Sequence, residues 1–196
     1  MKNKIGNILL IAGTALILVS ICMLGFNLYV ENKANKVIDN KASKLKNKIK
    51  ENKVENNTED ASLNSVVIDG DAYIGLVYID SMDLCVPVLK DYSYDNLNTA
   101  PCLYSGSIEK NDLVIAGHSY KKHFKKLNEI KKDTEIRFVD INNHEYKYKV
   151  FDVEILSPDN NEYLVGKEEN SNWDLTLFTC TKSGASRCVV RCIRCF

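Results

Sequence analysis

An unbroken apolar segment, residues 8–30, stands near the start of the chain and contains no charged side chain. A helix rises about 1.5 Å per residue, so a segment of this length crosses the hydrocarbon core of a bilayer. No small-x-small cleavage pattern follows it, and Val30 is joined directly to Glu31. We therefore predict an uncleaved transmembrane signal anchor, preceded by a short cytoplasmic tail, residues 1–7.

Lysine, asparagine and glutamate dominate residues 31–61, which we assign to a stalk. Its apolar residues recur at intervals of three and four, as on one face of a helix. They are Ala34, Ile38, Ala42, Leu45 and Ile49. Because this stripe is thin and partly alanine, we expect a solvated helix that frays, with short self-association as the alternative.

Short β patterns dominate residues 62–196, which we assign to one folded domain. The predicted strands are 73–79, 84–89, 113–116, 135–139, 145–155 and 175–179, and a last strand begins at Arg187. Residues 120–130 show helical spacing, through Phe124, Leu127 and Ile130. Many short strands with few helices predict a mainly β fold, a closed or nearly closed barrel or a sandwich.

Three local features add detail to these strands. Pro87 has no amide donor, so strand 84–89 should be an edge or bulged strand. The apolar phase of strand 145–155 shifts by one residue after Val150, which requires a bulge or a change of covered face. The pair Asn142-Asn143 tolerates the positive φ of a tight hairpin.

Composition excludes some classes of function. The chain has 26 basic and 26 acidic residues and no interleaving of basic with aromatic residues, so it does not resemble a nucleic-acid-binding module. Its seven cysteines are odd in number, and Cys22 lies in the predicted span, so they do not indicate a disulfide framework. The Cys192-x-x-Cys195 pair has no second pair to complete a zinc site. We expect neither a metal nor another cofactor.

Cys180 differs from the other cysteines in its position. It ends the strand 175–179 and precedes a short loop, so its side chain can reach a surface. By contrast, Cys188 and Cys192 alternate in step with Val190 along the last strand, as small core residues do. A reactive cysteine needs a histidine, which is usually distant in sequence. Until one is found, a structural role for Cys180 has equal weight.

The chain has three histidines that could supply this partner. His118 follows an apolar strand and Gly117, at a strand end where rigid elements present side chains. His123 stands among lysines and His144 in the predicted hairpin turn, so we expect both to be solvated. His118 is therefore the candidate, with an ordinary strand-end histidine as the alternative.

Arg187 completes the set of candidate residues. The loop after Cys180 is short, and short loops join neighbouring antiparallel strands, so Arg187 should lie beside Cys180. Its guanidinium is always charged and could stabilise an oxyanion. For Arg191 and Arg194 we expect the simpler role of capping a strand edge.

Together these residues resemble the sortase family. The matching elements are Val114-Ile-Ala-Gly-His118, Thr176-Leu-Phe-Thr-Cys180 and Arg187. The similarity extends from about Ile74 to Arg194, and the order of anchor, stalk and domain also matches. The specific Thr-Leu-x-Thr-Cys element, with a histidine upstream, favours a reactive Cys180.

The resemblance implies a closed eight-stranded β-barrel and a transpeptidase on a Gram-positive cell surface. Cys180 would attack a Thr-Gly-type bond in an LPxTG-like sorting signal and form a thioester. His118 would protonate the leaving amine and deprotonate the incoming one, and Arg187 would hold the substrate carbonyl. The implied partners are surface proteins with a C-terminal sorting signal, an amine from a cell-wall precursor or a pilin lysine, and the membrane.

The class within the family stays open. Residues 156–174 lack the long inserted helix of class B, and no Asp-Pro-aromatic lid of the pilus-polymerising class precedes the core. The short spacing from Cys180 to Arg187 resembles compact clostridial sortases, so a compact class B-like or class D-like member fits. Two other functions also remain, a tethered cysteine peptidase that uses water and a non-enzymatic surface barrel.

Orientation in the membrane is the last expectation. Lys2 and Lys4 precede the span, whereas Lys33, Lys36 and Lys41 follow it, and this bias favours a cytoplasmic domain. The resemblance requires the domain to be extracellular, where sorting signals and cell-wall amines are met. We expect the extracellular arrangement, because long C-terminal domains translocate largely regardless of charge.

Overall fold

The computed structural model describes residues 2–55, 65–157, 159, 172–181 and 184–195, and it contains two compact units, Met1–Ala34 and Asn35–Phe196. The helices are α1 (Lys2–Glu55) and α2 (Tyr94–Leu97), and single 3-10 turns cover Asp80–Met82 and Leu127–Glu129. The strands are β1 (Val66–Ile68), β2 (Asp71–Ile79), β3 (Leu84–Leu89), β4 (Cys102–Ser105), β5 (Leu113–Gly117), β6 (Glu135–Asp140), β7 (Glu145–Leu156), β8 (Leu175–Cys180) and β9 (Arg187–Cys195). The stretch 156–174, expected to lack a long helix, lies largely outside the described residues.

The first unit is the N-terminal part of α1. Its large apolar side chains are exposed, as Leu10 and Leu16 are at 70% and 69%. Among the described residues, this is the one helix long and apolar enough to cross a membrane. That finding is consistent with the predicted single-pass anchor.

Eight strands of the second unit close into a barrel. The order is β1-β2-β3-β4-β5-β8-β9-β7-β6, and pairing of β6 with β2 closes the sheet. β1 pairs with β2 and stands outside this ring. The pairs β3–β4 and β5–β8 are parallel, and the other pairs are antiparallel. The mainly β, closed eight-stranded barrel is therefore confirmed.

The three predicted local features are present. β7 has a register shift between Val150 and Asp152, which is the bulge that the phase change required. Asn143 adopts a φ of 65° in the turn between β6 and β7. Pro87 pairs with β2, and the ladder from β3 to β4 consists of the single pair Leu89–Cys102. Pro87 therefore sits in a strand with one nearly open edge.

The predicted helix over residues 120–130 is wrong. The segment forms consecutive turns that end in the 3-10 turn Leu127–Glu129. Several of its amides donate to carbonyls three residues back, as from Leu127 to Phe124 and from Ile130 to Leu127, and the Phe124 amide donates to His118, so no α-helical ladder forms. The apolar spacing still marks the buried residues, because Phe124, Leu127 and Ile130 all lie in the core. The short strands β1 and β4 lacked a sequence pattern and were not predicted.

The expectation of a solvated stalk is wrong for the part of α1 in the second unit. Ile38, Ala42, Leu45 and Ile49 are helical as predicted, but they are 1%, 7%, 0% and 3% exposed. Ile38 joins the cluster that fills the barrel, and the other three join a second cluster with residues of β2, β3, β5, β8 and β9. The thin stripe is buried because the outer face of the barrel, not another helix, covers it.

Polar contacts fasten the same helix to the turn between β1 and β2. Lys41, whose side chain is 12% exposed, lies 3.0 Å from Asp71 and 3.4 Å from Asp69, and Lys44 lies 2.8 Å from Asp69. The compact unit therefore begins at Asn35, inside the segment that composition alone assigned to the stalk.

Candidate active site

Cys180 is the last residue of β8, where a buried strand emerges at the surface. Alternate side chains of β8 belong to different clusters, with Leu175 and Leu177 inside the barrel and Phe178 in the outer cluster. Cys180 follows the phase of Phe178, so it projects from the outer face of the barrel. It is only partly buried, whereas the preceding residues of the strand are buried. A strand end of this kind presents a thiol to solvent from a rigid support.

Arg187 is the first residue of β9 and lies directly opposite Cys180. The register pairs Cys180 with Arg187, and Thr181 N–H donates to Ser186 C=O at 2.9 Å to close the loop. Arg187 Nη1 donates to Cys180 Sγ at 3.4 Å. The expectation that the short loop places these two residues side by side is confirmed. A fixed positive charge therefore lies in contact with the sulfur.

His118 directly follows β5, which is parallel to β8. The register pairs Gly117 with Thr179, so the next residues along these neighbouring strands are His118 and Cys180. Neighbouring strands lie about 4.8 Å apart, and side chains at equivalent positions share a face. Among the described residues, the ring of His118 has no hydrogen bond to the thiol. Hydrogen bonds of this kind commonly tighten only when substrate binds.

Residues 118–124, which we call the strap, fix where His118 stands. Phe124 packs over Gly117, where a Cβ would lie 2.5 Å from the Phe124 ring, so this position requires glycine. Phe124 N–H donates to His118 C=O at 3.1 Å, and the ring of Tyr120 lies 4.9 Å from that of His118. Burial lowers the pKa of His118. The neutral imidazole, which can accept a proton, is therefore the favoured form.

His123 is not solvated, contrary to expectation. It is 1% exposed, and within the described residues neither ring nitrogen has a hydrogen-bond partner. Burial, together with the nearby His118, lowers the pKa of His123 to about 3, so it is neutral. Its ring lies 6.5 Å from that of His118 and 5.4 Å from that of Tyr120. Because Phe124 packs on Gly117, the strap folds back onto the barrel. The His123 side chain is therefore buried, although lysines flank it in the sequence.

His144 lies where the sequence placed it, in the turn between β6 and β7. Its Nδ1 lies 3.1 Å from Asp140 Oδ2, and its side chain is 49% exposed. Asp140 also accepts hydrogen bonds from the amides of Asn142 and His144. This histidine therefore belongs to a turn that is structural.

A small cavity of about 90 Å³ lies beside the thiol. Ile155 of β7, 59% exposed, and Cys188 of β9 give it apolar walls, and Ser119 borders it from the strap. The remaining lining residues are Lys125, Asn128, Thr179, Cys180 and Thr181. The exposed side chain of Ile155 therefore forms part of the apolar surface beside Cys180.

Aromatic side chains on the outer face were not predicted as part of the site. Phe178, two residues before Cys180, packs edge-on against Tyr104 at 5.1 Å, and Tyr104 packs against Tyr92 at 4.8 Å. Burial raises the pKa of Tyr92. Tyr94 extends the row and is 75% exposed. The sequence signal for this aromatic cluster was the group of tyrosines between residues 92 and 104.

Arg191 does not cap a strand edge, because it is paired with both β7 and β8, whereas Arg194 lies beyond the last pair with β8 and is paired with β7 alone. Arg191 is 3% exposed, donates to Thr176 Oγ1 at 2.7 Å and lies 4.6 Å from the Trp173 ring. Arg194 donates to Asn111 at 3.2 Å and lies over Tyr146. Both arginines therefore have structural contacts away from the thiol.

The remaining cysteines are free thiols. Cys188 and Cys192 face the barrel interior, as the alternation predicted, and burial raises the pKa of Cys188 to about 11. In the part of the chain that the structure describes, no group of three or more His, Cys, Asp or Glu side chains could hold a metal ion.

Comparison with known proteins agrees with this architecture. A family model described as the sortase domain matches residues 77–194. The chain is similar to a Clostridium perfringens sortase D5 transpeptidase, at 20% identity over 85% of this chain and 99% of that chain, with a TM-score of 0.59. It is also similar to sortase C-1 from Actinomyces oris, at 20% identity over 79% of this chain and 99% of that chain, with a TM-score of 0.56.

Sortase A from Corynebacterium diphtheriae is a third similar structure, at 23% identity and a TM-score of 0.55. The match covers 64% of this chain and 62% of that chain, which is less than two thirds of the Corynebacterium protein. No curated protein gives a significant match. At these identities the solved structures show a shared fold, and they include several classes of one family. Because the family model covers more than half of the sequence, the chain belongs to the sortase family, a family of transpeptidases.

Proposed function

We propose that the protein is a membrane-anchored cysteine transpeptidase that cleaves an LPxTG-like sorting signal through a thioester at Cys180. The observation that carries the proposal is the contact of Arg187 Nη1 with Cys180 Sγ at 3.4 Å, beside the strand end that bears His118. Nucleophile, proton acceptor and oxyanion donor are the three parts that acyl transfer by cysteine needs. Membership of the sortase family supports the same reaction.

The reaction has two halves that share His118. In the first, the Cys180 thiol gives its proton to His118, and its sulfur attacks the carbonyl carbon of the threonine in the signal. The tetrahedral intermediate collapses, the Thr–Gly C–N bond breaks, and the leaving amine takes the proton from His118. In the second, an incoming amine attacks the thioester and His118 accepts its proton, then the C–S bond breaks and His118 gives that proton to the sulfur, which restores the thiol.

The environment of His118 suits this exchange. Because burial lowers its pKa, the neutral ring is available to accept the thiol proton. The same burial makes the imidazolium a stronger acid, so it readily protonates the departing amine.

Arg187 is proposed to hold the substrate carbonyl and stabilise the oxyanion. Its guanidinium already reaches the sulfur, so the carbonyl of a bound acyl group would lie within reach of its N–H donors. We expect Arg187→Lys to lower kcat/KM nearly as far as Arg187→Ala, by about 10²–10³-fold, because lysine loses the planar fork. Steady-state peptide cleavage measures this.

Arg191→Lys is the control for this prediction, because Arg191 is on the same strand but contacts Thr176 and Trp173 instead of the thiol. It should reduce stability while the folded fraction keeps its activity. Near-normal activity of Arg187→Lys would show that Arg187 acts only as a point charge. An equal loss of activity in Arg191→Lys would show that Arg187 is the wrong choice of arginine.

The proposed location is the outer surface of the cell membrane, with residues 1–7 inside, 8–30 as the span and the barrel outside. The partners are then surface proteins with a C-terminal sorting signal and an amine of a cell-wall precursor or pilin. The long apolar helix supports the anchor, and the extracellular side is where such partners are met.

An impermeant protease tests this orientation on intact cells stripped of their wall. It should remove the barrel, because an extracellular domain is exposed to it before the membrane is breached. A cytoplasmic reporter protein should survive the same treatment. Survival of the barrel until detergent is added would support the charge bias of the flanking lysines and contradict the surface assignment.

The reaction itself is tested by incubating the full chain in detergent micelles with a library of sorting-signal peptides and analysing products by mass spectrometry. We expect cleavage after threonine and, with an added amine, a product that joins the acyl fragment to that amine. Hydrolysed product alone, at every amine concentration, would identify a peptidase. If Cys180 is alkylated no faster than Cys85 and no peptide is cleaved, the barrel is not an enzyme.

A further inference from the structure

One face of α1 contacts the strap that carries His118. The Asn35 side chain is buried, at 9% exposure, and its Oδ1 accepts the backbone N–H of Lys122 at 3.2 Å. One turn further along the helix, Asp39 lies 3.3 Å from Lys122 Nζ. Positions 35 and 39 share a helix face, so both contacts are made by the same side of α1.

The apolar contact next to these polar ones reaches the base of His118. Ile38 and Phe124 belong to the same buried cluster. Phe124 covers Gly117 and donates its N–H to the carbonyl of His118. A continuous set of contacts therefore runs from α1, through Lys122 and Phe124, to the residue that follows β5.

The strap has little regular structure of its own to hold this arrangement. Its internal hydrogen bonds are those of single turns, such as His123 N–H to Tyr120 C=O at 3.0 Å. It also buries His123, whose ring nitrogens have no partner within the described residues. Burying such a ring opposes the folded conformation of the strap, so other contacts must hold the strap closed. The hydrogen bond from Lys122 to Asn35 joins the strap to a regular element.

We propose that Asn35 is a positioning residue for His118, acting through the Lys122 amide and the strap. The part of α1 that directly follows the predicted span, residues 8–30, then helps to position His118, although it touches no reacting atom. The effect on turnover rests on the proposed function, whereas the effect on the strap does not.

Three variants of the full chain in detergent micelles test the proposal. Asn35→Ala removes the acceptor, Asn35→Asp keeps an oxygen acceptor at the same place, and Asn40→Ala changes an exposed asparagine of the same helix as a control. Hydrogen exchange at Lys122, His123 and Phe124 reports the strap. The NMR titration of the His118 ring, beside Tyr120 and His123, reports its burial. Acylation of Cys180 by a peptide reports the reaction.

In Asn35→Ala the amide hydrogens of the strap should exchange with solvent about tenfold faster, because the hydrogen bond from Lys122 to Asn35 is lost. The pKa of its His118 should rise toward the ordinary value, because an open strap admits water. Acylation should fall about 10–100-fold, as expected for a misplaced group. Asn35→Asp and Asn40→Ala should resemble the wild type in all three measurements, and the melting temperature shows that each variant is folded.

Two results would overturn the inference: unchanged strap exchange and His118 titration in Asn35→Ala, or an Asn35→Asp protein as impaired as Asn35→Ala. If Asn35→Ala does not fold, Asn35→Ser replaces it, because the shorter serine side chain cannot reach the Lys122 amide. The same three measurements then compare Asn35→Ser with Asn35→Asp. A wild-type protein that forms no acyl-enzyme with any peptide contradicts the proposed function instead, and strap exchange and the titration still decide the role of Asn35.

Discussion

Replacing Cys180 with alanine is expected to abolish thioester formation and peptide cleavage completely while the barrel stays folded. The variant has no nucleophile, because Cys188, the other thiol beside the cavity, is buried, and this burial raises its pKa to about 11. The stability cost should be small, because the side chain is partly exposed and leaves little cavity. Mass spectrometry of the protein after incubation with peptide detects the acyl adduct, and circular dichroism verifies the fold.

Cys85→Ala is the matched control for the loss of a thiol. Cys85 lies on β3, is partly buried, and burial raises its pKa, so it should contribute nothing to turnover. Substantial residual cleavage by Cys180→Ala would end the assignment of Cys180 as nucleophile. Loss of activity in both variants would point to a general effect of removing cysteine.

His118→Ala is expected to lower kcat/KM by at least the factor that general acid–base catalysis supplies, about 10²–10⁴-fold. The loss should exceed this range if the ring also helps to form the thiolate. The depressed pKa predicts that activity is lost toward low pH, as the imidazole is protonated in the free enzyme, at a pH below the ordinary titration range of histidine. The pH profile of kcat/KM for the wild type, with single-turnover acylation for the variant, measures both effects.

His144→Ala is the control here, because His144 belongs to the Asp140 turn and is half exposed. An equal loss of activity in that variant would mean that the wrong histidine has been chosen. His123→Ala cannot serve as a neutral control, since removing a fully buried ring beside His118 disturbs the strap.

Most strands could be predicted from the sequence because their apolar residues either alternate, as in the first half of β7, or run continuously, as in β5 and β8, which are buried on both faces. The bulge in β7 followed from the same period, since Val150 and Asp152 could not both keep register with one partner strand. Contact between Cys180 and Arg187 could also be predicted, because a short loop joins two adjacent antiparallel strands and places their ends side by side. These features depend on interactions local in sequence.

The features that could not be predicted depend on partners distant in sequence. Periodicity does not show that β5 lies parallel to β8, which is the pairing that brings His118 next to Cys180. The helical stripe on α1 shows which face is apolar but not that the barrel covers it. His123 stands in a segment without a regular period, so no pattern indicated that its ring points inward.

The packing of α1 on the barrel has a consequence for the order of folding during synthesis. Leu45 and Ile49 leave the ribosome early, but the cluster that covers them includes Phe178 of β8 and Val189 of β9. The cluster around their apolar stripe is therefore complete only when nearly the whole chain has been made. Closure through the β2–β6 and β5–β8 pairs also joins residues far apart in sequence, and such topologies fold slowly. The native unit is thus completed only after synthesis, and the earliest part of it waits longest for its partners.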